Sequence, residues 1–168
     1  VTAGTIRCTP SQDRFVLARF NASGSLVWSR AWEGVDAREA SFDRDARGDL
    51  YALLKVATEG AMSPWTLTSM DARGQERWTR TVMHGARGGA VVVRGGELRI
   101  VSVGPTEDNT SRLRWSRHQL DGAPVGDGSF TLNAAHSLVG SSLYTPVLEW
   151  FAWGPDGDFY VAVYTYRP

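Results

Sequence analysis

Three histidines, one cysteine and a few closely spaced aspartates are the side chains here best suited to hold a metal or move a proton. Asp43, Asp45 and Asp49 flank Gly48, and carboxylates at alternate positions begin a calcium loop, because a hard cation gathers several oxygens from one short segment. Arg47 stands where a third oxygen ligand belongs, however, and no Glu closes the loop. Both this stretch and Asp156-Gly157-Asp158 therefore read as turns in which Asp accepts hydrogen bonds from nearby backbone. His84, His118 and His136 show no metal-ligand spacing, and no Ser lies in a Gly-x-Ser-x-Gly elbow. A triad of distant residues stays open, since order in sequence does not decide geometry. His118 falls in a predicted strand, where histidine is more often a hydrogen-bonded structural residue. Cys8 alone allows neither an internal disulfide nor a zinc cluster. Gly85 to Gly89, with Arg87 inside, lacks the helix of a phosphate cradle and reads as a bulge or tight turn. The expectation is no metal, no cofactor and no self-contained catalytic centre, with a centre shared between several sheets as the alternative.

The seven tryptophans are the other chemical resource. Aromatic rings form platforms for sugars and partner side chains, and Trp is favoured at binding hot spots. Trp65, beside Pro64, and the pair Trp150 and Trp153 have no Trp counterparts elsewhere in the chain and are the candidate binding residues. Trp65 is expected to be more exposed than Trp28 and Trp78. The alternation around Trp150 and Trp153 fits a buried strand equally well.

The elements that position these groups must come from 168 residues, enough for one ordinary core. Eighteen basic and eighteen acidic residues cancel to zero, so no single-sign field favours a nucleic-acid partner. Hydrophobic content of 42% argues for a folded chain, and no apolar run reaches the roughly 18 residues of a membrane span. Lys55 is the one lysine against seventeen arginines, a bias that points to a GC-rich genome. The chain starts at Val1, and the expectation is a targeting segment absent or removed from a longer parent protein.

An internal repeat sets the architecture. Asn21 to Arg30 aligns without gaps on Asp71 to Arg80, placing Gly24 on Gly74 and Trp28 on Trp78. Asn or Asp, then Gly where positive φ is tolerated, then alternation around an aromatic, specifies a hairpin. A second signature, Gly followed by an acidic residue and an apolar strand, recurs around Gly48, Gly96 and Gly157. The two hairpin types predict three four-strand cycles, over roughly residues 13–57, 64–104 and 111–166, the third using the turn at Asp121-Gly122. A competing alignment sets Trp115-Ser116-Arg117 on Trp28-Ser29-Arg30 and shortens the second cycle. Gly and Pro interrupt every window of helical length, and Ala134 to Leu143, the one short helix candidate, reads better as a loop.

With these residues in place, the chain resembles the bacterial β-propeller repeats that pair an Asp-x-x-Gly-x-x-x-Trp hairpin with a Gly-Asp-x-Tyr hairpin, similar in pattern to pyrroloquinoline-quinone-type repeats. The resemblance implies an all-β array of about three four-stranded antiparallel blades, a partial propeller, with Trp28 and Trp78 docking neighbouring blades and Gly24, Gly48, Gly74 and Gly157 as repeat positions. The third copy departs from it, with Pro124 and Val125 after the turn and no Trp at the equivalent place. Propellers close with about four to eight blades, so three need a protein partner or the remaining blades of a longer chain. The expected function is a non-catalytic binding or scaffolding module in an exported or envelope-associated bacterial protein. The alternatives are part of a quinoprotein-like or glycan-processing propeller enzyme, or a carbohydrate-binding module.

Overall fold

The computed structural model describes residues 2–7, 13–56, 63–105, 111–132, 145–153 and 159–166, with side chains described for 15–35, 40–56, 63–104, 112–131 and 160. Every regular element among them is a strand: β1 (Thr2–Arg7), β2 (Asp13–Phe20), β3 (Leu26–Glu33), β4 (Val35–Arg44), β5 (Leu50–Val56), β6 (Pro64–Met70), β7 (Glu76–His84), β8 (Gly88–Arg94), β9 (Glu97–Pro105), β10 (Ser111–Gln119), β11 (Pro124–Leu132), β12 (Thr145–Trp153) and β13 (Phe159–Tyr166). The chain is all-β over these residues, and no helix long and apolar enough to cross a membrane occurs among them.

The strands form four sheets, ordered β1-β2-β3, β4-β5-β6-β7, β8-β9-β10-β11 and β12-β13, and every neighbouring pair is antiparallel. This grouping corrects the expected cycles. The breaks fall between β3 and β4, β7 and β8, and β11 and β12, inside the segments 13–57, 64–104 and 111–166. Hairpin signatures say which two strands pair, but not which hairpin opens a sheet. At the first two breaks a glycine with positive φ, Gly34 at 65° and Gly85 at 67°, lets the chain leave one sheet and enter the next. The preferred third-cycle hairpin is present: β10 and β11 meet at Asp121-Gly122, so the alignment of Trp115 on Trp28 does not describe the pairing.

The sheets stack in chain order, β2 against β4, β4 and β5 against β8, and β12 against β8 and β9. Between the first and second sheets lie Phe15, Leu17, Leu50, Ala52, Leu54 and Met70, all buried. Between the second and third lie Tyr51, Leu53, Trp65, Leu67, Val91, Leu98 and Ile100. The strictly alternating side-chain direction of a strand gives the second sheet one set of apolar residues for each neighbour. Edge strand β8 has its backbone satisfied across a sheet boundary. Val91 N donates to Ser41 Oγ at 3.1 Å and Val93 N to Asp43 Oδ2 at 2.8 Å.

Candidate functional site

The hairpin turns after β2 and β6 are each built by one side chain. Asn21 Oδ1 accepts from Ser23 N and Ser25 N at 3.0 and 2.9 Å, and Asp71 Oδ1 accepts from Arg73 N and Gln75 N at 2.8 and 2.9 Å. The Gln75 amide, against an opposing effect of desolvation, and then the Arg73 amide and the nearby Arg77 and Arg73 charges hold the Asp71 carboxyl below its ordinary range. Asp45 does the same for Arg47 N and Asp49 N, while Asp49 pairs with Arg77 at 3.0 Å. The three aspartates at calcium-loop spacing are thus engaged in a turn, an ion pair and the β8 edge. Tyr51, packed tilted against Trp78 with ring centroids 6.2 Å apart, has its phenol pushed up by burial and by Asp45 and Asp49, with Ser69 and Arg77 opposing.

The turns dock on the preceding sheet. A Cβ built at Gly74 would lie 2.7 Å from the Trp28 ring, so the ring occupies the space that glycine leaves. Trp28 Nε1 donates to Ala72 O at 3.2 Å, and Arg30 donates to Gly74 O at 3.0 Å while pairing with Glu76 at 3.2 Å. One sheet on, a Cβ built at Gly122 would meet Trp78 at 3.1 Å and Arg80 at 3.0 Å, and the Arg80 guanidinium lies 5.9 Å from the Trp78 ring centroid. Both tryptophans are half-buried, so the expected order is reversed, with Trp65 the more buried. In the third sheet Gly126 and Gly128 take the places of Trp and Arg, and the Trp115 ring lies over Gly128. Gly24 is the exception among the turn glycines of this hairpin type: a Cβ built there would meet nothing within 4 Å.

Trp65 corrects its expectation outright. It is 0% exposed, its Nε1 donates to Ala86 O at 3.1 Å, and its ring fills the space left by Gly89, where a Cβ would come within 3.1 Å. Its register counterpart is Phe15, five residues before Phe20 as Trp65 is five before Met70, so the position is an aromatic core site that sequence identity alone conceals. A ring enclosed on all sides is no platform for a ligand. Trp150 and Trp153 lie on β12 with side chains outside the described set, and Gly157, Asp156, Asp158, Cys8 and His136 lie outside the described residues.

A groove of about 770 Å³ opens between the second and third sheets, lined by Val82 and His84 of β7, Ser102 of β9, and Arg112, Arg114, Ser116 and His118 of β10, with Asp127 and Ser129 opposite on β11. His118 is 8% exposed. Its Nδ1 faces Gly122 O at 3.4 Å, and a carbonyl can only accept, so in the neutral ring Nδ1 carries the proton and Nε2 accepts from Ser116 Oγ at 3.0 Å. Arg112, Arg114, Ser116 and His118 share one face of β10 by their alternate spacing. That alternation is the one sequence signal for the cluster, and a histidine considered singly does not reveal it. Among the described residues no group of three or more His, Cys, Asp or Glu is placed to hold a metal. Set against family models and curated proteins, the sequence matches none.

Proposed function

We propose that this chain is a non-catalytic scaffolding module of propeller-like sheets that makes protein contacts through the outer face of its first sheet. The observation that carries the reading is the open turn at Gly24. Its counterpart Gly74 is covered by the Trp28 ring and its counterpart Gly122 by Trp78 and Arg80, each from the preceding sheet, whereas a Cβ built at Gly24 meets nothing within 4 Å among the described residues. Phe20 and Leu26 beside it are 42% and 57% exposed, while Met70, the counterpart of Phe20, is 0% exposed beneath the first sheet. An apolar face with an unfilled ring site is complementary to another sheet of the same repeat, which would present a Trp four residues after its own turn glycine. That partner sheet supplies what a ring of blades requires beyond the sheets described. An exported or envelope-associated bacterial setting follows from the resemblance to propeller repeats.

Sedimentation velocity over a concentration series tests the reading. The expected outcome is reversible association that Leu26→Lys weakens, since position 26 is exposed and a charge there leaves the fold intact. A monodisperse 18.4 kDa species at every concentration, indifferent to Leu26→Lys, would contradict it.

A further inference from the structure

We propose that the groove between the second and third sheets binds a small ligand through an oxyanion, a carboxylate or a phosphate, held by the guanidinium groups of Arg112 and Arg114. The proposal is independent of the scaffolding reading, because it uses residues of the second and third sheets and none of the first.

The repeat itself provides the control. By register, Leu50 pairs with Met70 as Leu98 pairs with His118, so His118 stands where the second sheet has a core methionine. Ser116 stands where Thr68 is, Arg114 where Thr66 is, and Ser102 where Leu54 is. In the second sheet three of these places are closed: Met70, Leu54 and Thr68 are buried, and the Thr68 and Thr79 hydroxyls bond each other at 2.9 Å. In the third sheet all four places carry a polar or charged group, and all four line the cleft. A change at one position is drift, but adjacent changes on one face build a surface.

The arginines are placed for an anion. Alternate residues on a strand stand about 7 Å apart on one face, so two like charges are held side by side. Arg112 Nε is buried with no hydrogen-bond partner, and among the described residues neither the Arg112 nor the Arg114 side chain forms an ion pair or hydrogen bond. The guanidinium fork can donate two parallel N–H groups to an oxyanion, a carboxylate or a phosphate alike, and an unpaired fork in a cleft gains from such a partner. Among the described residues Asp127 is the one carboxylate lining the groove, paired in register with Ser116 rather than with either arginine. Ser129 is paired in register with Arg114, within reach of a ligand held there. His84 and His118 add no negative charge. The volume falls in the range of small-molecule sites, about 300 to 1,000 Å³, and the zero net charge of the chain favours a small anion over a polyanion.

Calorimetric titration of the chain with inorganic phosphate and, separately, with citrate tests this. The expected result is saturable 1:1 binding of at least one of the two, with a Kd near or below about 1 mM that weakens as NaCl is raised. Arg114→Gln, at an exposed position, should weaken it by at least about tenfold, whereas Arg94→Gln, exposed and outside the groove, should leave it unchanged. Saturation by phosphate alone or by citrate alone assigns the ligand group. Failure of both anions to saturate, or equal weakening by the two substitutions, would overturn the proposal, and neither result bears on self-association.

Discussion

The two central interfaces of the stack are built from the same repeat and come out differently. Between the first and second sheets, Trp32 packs against Phe15 with ring centroids 5.7 Å apart, and the apolar set continues to Met70. Between the second and third, Met83 stands where Trp32 does, with Val82 bulged out of register beside it, Trp65 where Phe15 does, and His118 where Met70 does. The Trp32 ring has no aromatic counterpart there, and with the polar β10 face this leaves a groove between the sheets, while Leu53, Leu67 and Leu98 stay buried. A repeat thus carries two separable instructions. The turn glycine and its Trp fix how sheets dock, and the alternate residues leading up to the turn decide whether the contact is core or cleft.

Substitutions can break or sharpen this contrast. The largest effect is expected at Trp65: replacement by Ala should cost about 3 to 5 kcal/mol in denaturant unfolding, because a fully buried ring and its bond to Ala86 O are lost together. An exposed-platform role would leave stability nearly unchanged. Next come the exchanged residues. Met70→His should destabilise by about 1 to 3 kcal/mol, since the imidazole enters a closed apolar site without the acceptor that Gly122 O and the partner that Ser116 provide at position 118. His118→Met, installing the core residue of the second sheet, should cost less than Met70→His. Equal costs would erase the distinction between the two interfaces.

Much of the docking geometry is legible in the residues, and the groove is not. Asn21, Asp71 and the glycines three positions later specify their turns locally, through side-chain bonds to the next few amides, so short-range pattern suffices. Trp28 and Trp78 follow because they sit at a fixed distance from those turns. Trp65 escapes such matching because its equivalence to Phe15 passes through cross-strand register, which residue identity does not carry. His118 escapes it for the same reason: its contrast with Met70 exists only once Leu50 and Leu98 are known to be their partners.

The smallest effect concerns acid. The Asp71 carboxyl is held below its unfolded value, so its contribution is present above that value and is lost as pH falls through the folded one. Stability measured by chemical denaturation should therefore decline slightly on acidification below about pH 4. Asp71→Asn should remove that part of the decline while keeping the turn, as Asn21 does in the first sheet. An unchanged acid limb in Asp71→Asn would show that the turn carboxylate is not coupled to folding.

The docking of each turn beneath the preceding sheet's tryptophan is tested most directly by the unfolding free energies of Gly24→Ala and Gly74→Ala, measured side by side. The two glycines have φ of 81° and 80°, so the backbone penalty cancels between them. A methyl at 24 meets open space and one at 74 meets the Trp28 ring. Gly74→Ala should cost more by about 1 to 3 kcal/mol, the usual penalty for overpacking, and equal costs at the two positions would contradict the docking of Trp28 on that turn.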